Sequence, residues 1–210
     1  MLRLSKFKKE YNSFPVLEID DLTIGHGTYW IKGKNGSGKS TLIKAIAGIL
    51  HFEGDILLED EISLKKQTMA YRRLVNYAEA EPVFPEFLTG KEMVLLFSKA
   101  KGAAKGQEDY YIESMNMQPY IQSAVGTYSS GMLKKLSLVL AFIGNPALIL
   151  LDEPLITIDT ESLNVLYQWI SKKHLQDQTS FILASHQPFE GADLPAFKEI
   201  QIEDKQLIFG

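Results

Sequence analysis

A glycine-rich segment, "GKNGSGKST" (residues 33–41), has residue types that can bind phosphate. It fits the pattern G-x-x-x-x-G-K-[ST] and lies between "TYWIK" and "STLIKAIAG", which predict a strand before it and a helix after it. Glycines let successive backbone N–H groups point inward, and the helix dipole adds positive potential there. We therefore expect Lys39 to reach the β- and γ-phosphates of a nucleotide and Ser40 to ligate Mg²⁺. The other predicted nucleotide contacts are Asn35, Gly36, Ser37, Gly38 and Thr41.

Three polar side chains follow two apolar segments that predict buried strands. Asp152 and Glu153 come after "ALILL", and His186 comes after "FILAS". The carboxyl ends of parallel strands face the ligand-binding edge of a sheet. There Asp152 can hold Mg²⁺ through water, Glu153 can polarise the attacking water, and His186 would lie near the γ-phosphate. Lys39, Glu153 and His186 are therefore the predicted catalytic residues.

A second segment, "YSSGM" (residues 128–132), also has the residue types of an anion-binding helix start. Ser129 supplies a hydroxyl for capping, and Gly131 leaves backbone N–H groups accessible. Taken alone, the segment is better explained as an ordinary helix cap. The chain thus contains two segments of phosphate-binding type, and the second has no evident ligand of its own.

The apolar periodicity predicts the elements that position these residues. "LRLSKF", "VLEID" and "TYWIK" predict an antiparallel β opening, and "GDILLEDEIS" predicts a hairpin. "RRLVNYA" is expected to be a strand, "TSFILAS" a buried strand, and "KEIQIEDKQLIFG" a terminal hairpin. A further helix is expected from about Thr160 to Leu175. The helix over "STLIKAIAGIL" has apolar residues at helical spacing, namely Leu42, Ile43, Ile46 and Ile49.

Length and composition predict one globular domain over residues 1–210, of which 45% are hydrophobic. Residues 82–145 carry helical patterns broken by glycine and proline, so we expect a helical insertion into a core of residues 1–81 and 146–210. The net charge is −4 with the basic pairs scattered, which predicts no nucleic acid partner. There is no cysteine, so disulfides and thiolate metal sites are excluded. The longest apolar run, in "LSLVLAFIG", is too short to span a bilayer.

The order of these segments resembles the nucleotide-binding domain of ATP-binding cassette (ABC) transporters. The phosphate loop, "YSSGM", "LILLDEP", Asp159 and His186 follow one another as in that family, over nearly the whole chain. The resemblance implies an α/β fold: a P-loop NTPase core with a mostly parallel central sheet, an N-terminal antiparallel β subdomain and a helical insertion subdomain. It also implies ATP and Mg²⁺ as ligands and an ATPase activity that drives transport.

The resemblance further implies the partners. In that family two domains pair head to tail, so Ser129 and Gly131 would contact the γ-phosphate held by a second ABC ATPase subunit, identical or related. Asp159 would cross the dimer interface, and Tyr11 would stack on adenine, with Phe14 as a close competitor for that role. The helical insertion would contact integral membrane permease subunits, which determine the substrate. The chain would then be cytoplasmic and peripheral on the inner face of the cell membrane.

The chain departs from the family pattern at three places. Ala80, in "YAEAEP", stands where the family has a glutamine that ligates Mg²⁺. Glu79 or Glu81 could substitute through a shift of the loop, but we favour the interpretation of a solvated acidic turn. The second segment has Ser130 and Met132 for the usual glycine and glutamine, and "LITID" lacks the family's Ser-Gly pair. These changes predict an effect on hydrolysis rate and coupling more than on ATP binding.

Two other functions remain open at this stage. A soluble ABC-type ATPase could act on nucleic acid or the ribosome, although the scattered charge argues against it. A regulatory module could bind ATP with weak hydrolysis. The missing glutamine favours that second alternative, whereas the presence of Glu153 and His186 opposes it.

Overall fold

The computed structural model describes residues 1–187 and 195–209. Its strands are β1 (Leu2–Tyr11), β2 (Phe14–Ile24), β3 (Thr28–Lys32), β4 (Glu53–Leu58), β5 (Ile62–Ser63), β6 (Val75–Ala78), β7 (Leu148–Asp152), β8 (Ser180–Ala184), β9 (Lys198–Glu203) and β10 (Gln206–Phe209). Its helices are α1 (Lys39–Ile46), α2 (Thr68–Leu74), α3 (Gly90–Lys101), α4 (Gln107–Ser114), α5 (Ser130–Phe142) and α6 (Thr160–Asp177), with a short 3₁₀ helix at Val125–Thr127.

The larger sheet has six strands in the order β10-β9-β3-β8-β7-β6. All neighbouring pairs are parallel except β9 and β10, which form the expected terminal hairpin. Every residue of β7 and β8 is buried, as is usual for strands covered on both faces. Leu148 and Leu150 pack into one core with residues of α1, and the alternate residues Ile149 and Leu151 pack into a second core with residues of α5 and α6. The predicted mostly parallel sheet is confirmed.

The smaller sheet is antiparallel, with the strand order β2-β1-β4-β5. It confirms the antiparallel opening for the first two segments, and β4 and β5 form the expected hairpin. The prediction is wrong for "TYWIK", because this segment forms β3 and pairs in parallel with β8 and β9. Tyr29 and Ile31 are both buried, which fits a strand inside the larger sheet better than one at its edge.

Two helix boundaries also differ from the expectation. Helix α1 ends at Ile46, before the left-handed Gly48 (φ +72°), and Ile49 is 56% exposed instead of continuing the apolar face. The arginines of "RRLVNYA" belong to α2, so the strand is limited to β6. Helix α2 is stabilised by the burial of Tyr71, whose hydroxyl donates to the Ile46 carbonyl at 2.9 Å.

Helices α3, α4 and α5 lie between β6 and β7 in the chain. Helix α3 begins at a capping box formed by Thr89 and Glu92. The end of α5 is tied to the larger sheet by Asn76 of β6, whose amide donates to the carbonyls of Ala141 and Ile143, both at 2.8 Å. Within the described ranges, no helix combines the length and the apolar character needed to cross a bilayer.

Candidate functional site

The glycine-rich segment forms a tight loop between β3 and α1. Gly36 (φ +81°) and Gly38 (φ +103°) adopt left-handed conformations that side chains rarely tolerate. A Cβ atom at Gly38 would also lie 3.0 Å from Val16 Cγ1, so the Val16 side chain would have to shift to accommodate it. The loop borders a cleft of about 480 Å³. The residues that line the cleft are Tyr11, Val16, Asn35, Gly36, Gly38, Lys39, Ser40, Thr41 and Glu153.

Lys39 folds back across this loop. Its Nζ donates to the carbonyls of Gly33 at 2.8 Å and Lys34 at 3.2 Å, and the residue is only 7% exposed. The ammonium group therefore lies beside the cleft, where it can neutralise phosphate charge. Ser37, on the same loop, has a buried hydroxyl oxygen without a hydrogen-bond partner among the described residues.

Asp152, the last residue of β7, meets the start of α1. Ser40 Oγ donates to Asp152 Oδ1 at 3.0 Å, whereas the buried Oδ2 has no hydrogen-bond partner in the described part of the chain. Burial raises the pKa of this carboxyl group, and the hydrogen bond from Ser40 and the charge of Lys44 oppose that rise. A hydroxyl and an unpaired carboxylate oxygen are ligands of the type that Mg²⁺ prefers. These residues therefore fit the predicted metal.

Glu153 and His186 meet at the ends of β7 and β8. His186 Nδ1 lies 3.0 Å from Glu153 Oε2, and the His186 backbone N–H donates to the same oxygen at 3.4 Å. Glu153 is itself left-handed (φ +44°), and its N–H donates to the Ala184 carbonyl at 2.8 Å. A non-glycine residue in this conformation is held by its surroundings, and such residues concentrate at functional sites. The structure thus brings together the carboxylate and the histidine that the sequence predicted at one sheet edge.

Ser129 and Gly131 lie at the start of α5, outside the set of residues that line the cleft. Ser129 Oγ accepts a hydrogen bond from the Met132 N–H at 3.3 Å, so the hydroxyl caps its own helix. A Cβ atom at Gly131 would lie 3.1 Å from the Thr157 carbonyl. Within one chain, the second segment is therefore a helix cap packed against the loop after β7.

Asp159 has a similar local role. Its carboxylate caps α6 by accepting from the Ser162 N–H at 2.8 Å, and Lys135 Nζ lies 2.9 Å from it. The backbone hydrogen bond from Ser162 is the main cause that lowers the pKa of Asp159 to about 2. Thr157, two residues earlier, is left-handed (φ +64°) at a position within "LITID". Such a conformation is a genuine outlier for a β-branched residue.

Tyr11 lines the cleft, and Phe14 is not among its lining residues. The two face each other at the end of the β1–β2 hairpin, where Phe14 is 77% exposed. Lys9 Nζ lies 4.4 Å from the centre of the Tyr11 ring. Of the two aromatic candidates for adenine stacking, the structure places only Tyr11 at the cleft.

The two acidic residues after β6 differ in their surroundings. Glu79 is 34% exposed and forms an ion pair with Lys44 of α1, with 2.5 Å between Nζ and Oε1. Glu81 is exposed, as expected. The Tyr77 hydroxyl is buried near Asp152; burial raises the pKa of this group strongly, and the charges of Asp152 and Glu79 act in the same direction.

Sequence reasoning missed Lys134, which is fully buried on α5. Its Nζ donates to the carbonyls of Glu79 at 2.9 Å, Ala80 at 3.2 Å and Asp152 at 3.1 Å. Burial lowers the pKa of Lys134 to about 8, and the nearby carboxylates oppose this effect. A signal was available, because Lys134 lies four residues before Leu138 and thus on the buried face of the helix.

The fold and these residues define a P-loop nucleotide-binding domain, in which a strand, a glycine-rich loop and a helix meet two carboxylates at the sheet edge. The sequence model of the ABC transporter family matches residues 17–156. The chain belongs to that family, and the resemblance seen in its motifs is confirmed.

Individual relatives agree with this assignment. The chain is 30% identical over 188 residues to the ABC transporter ATP-binding protein YtrB of Bacillus subtilis (strain 168), covering 89% of this chain and 63% of YtrB. It is 28% identical over 179 residues to the human glucosylceramide transporter ABCA12, covering 81% of this chain and 7% of that protein. It thus spans less than two thirds of the length of these relatives. The ATP-binding cassette MJ0796, solved as a dimer bound to ADP and Pi, has the same fold, with a TM-score of 0.80 at 20% identity over 99% of this chain and 96% of that one.

Proposed function

We propose that this chain binds ATP with Mg²⁺ and hydrolyses it to ADP and phosphate. The observation that carries the proposal is the buried Asp152 Oδ2, which has no partner among the described residues and lies where the phosphate loop, the Ser40 hydroxyl and the Glu153–His186 pair converge. A buried carboxylate oxygen without a partner is costly, and a bound cation would remove that cost. Mg²⁺ held by Ser40 and Asp152 would offset charge on the phosphates.

In the proposed reaction, Glu153 accepts a hydrogen bond from the attacking water and draws its proton away. The water oxygen bonds to the γ-phosphorus as the bond from that phosphorus to the β–γ bridging oxygen breaks. The Lys39 ammonium group stabilises the negative charge on the phosphates. His186 holds the Glu153 carboxylate at the sheet edge through Nδ1. Tyr11 stacks on the adenine, and the loop residues Asn35, Gly36, Ser37, Gly38 and Thr41 surround the phosphates.

Glu153→Gln tests this reaction. We expect the variant to bind ATP normally and to hydrolyse it about 10²- to 10⁴-fold more slowly, because the amide cannot accept the proton. Nucleotide binding is measured by titration with a fluorescent ATP analogue, and hydrolysis by phosphate release. Glu113→Gln, which changes an exposed carboxylate on α4, is the matched control and should keep the wild-type rate. An unchanged rate in Glu153→Gln would refute the assigned role.

We further propose that two chains enclose the nucleotide. Ser129 and Gly131 do not line this chain's own cleft, yet they form a helix start of the kind that binds phosphate. Placed across a head-to-tail dimer, they would contact the γ-phosphate held by a second ABC ATPase subunit, with Asp159 at the interface. The dimer of MJ0796, a protein with the same fold, supports this arrangement. Light scattering of Glu153→Gln should detect a dimer with ATP and a monomer without it.

Integral membrane permease subunits are the proposed partners of the helical insertion, residues 82–145. Large apolar side chains are exposed there, before and on α3: Val83, Phe87, Leu95 and Leu96. Exposed apolar side chains that form a contiguous patch favour a protein partner. The chain would then lie on the cytoplasmic face of the cell membrane.

Phe87→Glu tests this surface. The variant should reduce copurification with a membrane protein encoded by a neighbouring gene, because a charge would replace an apolar contact. Met69→Glu is the matched control, since Met69 is an exposed apolar residue on α2, outside the insertion. Unchanged copurification of Phe87→Glu would argue against this surface.

A further inference from the structure

The buried ammonium group of Lys134 joins three segments around the candidate site. Lys134 lies on α5, four residues after Ser130, the first residue of that helix, and it is inaccessible to solvent. An ammonium group has three hydrogens to donate, and Lys134 uses each on a backbone carbonyl. All of its donors are therefore satisfied inside the protein.

The three acceptors belong to two segments of the candidate site. The carbonyls of Glu79 and Ala80 lie directly after β6, and the carbonyl of Asp152 is the last of β7, immediately before Glu153. Lys134 itself lies on the helix that Ser129 caps. One side chain therefore connects the start of α5, the segment after β6 and the backbone that carries the proposed base.

A buried charge is retained only where its hydrogen bonds are satisfied, because the desolvation of an unpaired ammonium group is costly. An apolar residue at position 134 would leave three carbonyls without this donor. The carbonyl ends of β6 and β7 would then be free to shift relative to α5.

We propose that Lys134 is a positioning residue for ATP hydrolysis. It fixes the Asp152 carbonyl, and with it the adjacent Glu153, at a set distance from α5 and from the segment after β6. This inference rests on the proposed function, since it concerns the placement of the Glu153 carboxylate. Lys134 itself does not line the cleft, so it acts through the backbone and not on the nucleotide.

The test compares Lys134→Met with Lys101→Met. Lys101 is a partly buried lysine whose Nζ donates to the carbonyls of Arg72 and Val75, near the start of β6 and away from the cleft. Both variants leave backbone carbonyls without an ammonium donor, so both should be less stable than the wild type. Only Lys134→Met should lower kcat, by about 10- to 100-fold, because small displacements of reacting groups have effects of that size.

The affinity for nucleotide distinguishes a positioning role of Lys134 from a general disruption of the nucleotide site. In Lys134→Met, the dissociation constant of a fluorescent ATP analogue should stay within about 3-fold of the wild type while kcat falls, since only an interaction needed in the transition state is lost. Lys134→Arg restores a buried cation with several donors and should recover much of the lost kcat. All rates are compared at a temperature at which circular dichroism shows each variant to be folded.

Three results would overturn the inference: an unchanged kcat in Lys134→Met, an equal loss of kcat in Lys101→Met, or a parallel loss of nucleotide affinity. If Lys134→Met does not fold, Lys134→Gln takes its place, with the same expected fall in kcat at retained affinity. A wild-type chain that binds ATP but does not hydrolyse it would instead refute the proposed function. The two failures are therefore distinguishable.

Discussion

The phosphate loop and the start of α5 share the residue types of a phosphate site, but they differ in how their polar groups are paired. Around the loop, Ser37 Oγ and Asp152 Oδ2 are buried without hydrogen-bond partners among the described residues. At the start of α5, Ser129 already caps its own helix, and the nearby Asp159 carboxylate is paired with Ser162 and Lys135. The first region is incomplete without a ligand, because unpaired buried polar groups cost about 1–3 kcal/mol each. At the start of α5 the polar groups are already paired within the chain, so this region can interact with another molecule only through its surface.

Lys39→Met should have the largest effect, because it removes the cation from the incomplete region. We expect hydrolysis to fall by about 10³-fold, the upper range for loss of one charge-stabilising donor. Phosphate release measures the rate, and titration with a fluorescent ATP analogue measures the affinity. Lys34→Met is the control: this exposed lysine contacts Lys39 through its backbone carbonyl, so the variant should retain most of the activity. Equal activity in the two variants would contradict the role assigned to the Lys39 ammonium group at the phosphate loop.

Ser129→Arg tests the start of α5, where the polar groups are already paired. We expect ATP binding by the monomer to change less than about 3-fold, because Ser129 does not line the cleft, and hydrolysis to fall by about 100-fold, because the partner's phosphate loses its contact. Ser129→Asp separates the two roles of this residue. Aspartate caps a helix as well as serine does, but its charge would repel phosphate. Wild-type hydrolysis in Ser129→Asp would mean that Ser129 serves as a helix cap alone.

Thr157→Gly should stabilise the loop between the two regions. Thr157 is left-handed at φ +64°, and glycine adopts that conformation without steric cost. We expect the free energy of unfolding to rise by about 1 kcal/mol, which urea denaturation can detect. Thr160→Gly, at the first residue of α6, is the control and should lower stability instead. A loss of stability in Thr157→Gly would show that the relief of strain is smaller than the entropy cost of glycine in the unfolded chain.

Asp159→Asn should have the smallest effect, seen in the pH dependence of stability. The pKa of Asp159 is about 2 in the folded chain, below its ordinary value of 3.8. The ionised carboxylate therefore stabilises the fold above about pH 4, and this contribution is lost as the pH falls towards 2. Because the side chain is 53% exposed, we expect it to contribute less than about 1 kcal/mol. Asparagine can still cap α6, so urea denaturation of Asp159→Asn should depend less on pH in this range.

The sequence predicted where the residues around the phosphate loop lie in the fold. Strands β7 and β8 are continuous apolar runs because both faces of each are covered, and Asp152, Glu153 and His186 lie at their carboxyl ends. The phosphate loop has a fixed spacing between residue types, so Lys39 and Ser40 could be placed without a structure. Local chemistry determines all of these positions.

Features that depend on distant contacts were not predicted. The pairing of "TYWIK" with β8 and β9 is one example, because no signal within that segment specifies its neighbours. The ion pair of Glu79 with Lys44 is another, since it depends on how α1 packs beside β6. Lys134 was overlooked because a lysine in a helix is usually solvated, and its three carbonyl partners lie on two other segments.

The position of β3 has a consequence for synthesis of the chain. Trp30 lies beside Leu183 of β8 on one side and Glu199 of β9 on the other, so β3 obtains both neighbours only from segments much later in the sequence. During translation, β1 and β2 can pair as soon as they emerge, whereas β3 must wait. The loop that follows β3 is therefore fixed late, and a nascent chain should acquire nucleotide affinity only after β8 and β9 have been synthesised.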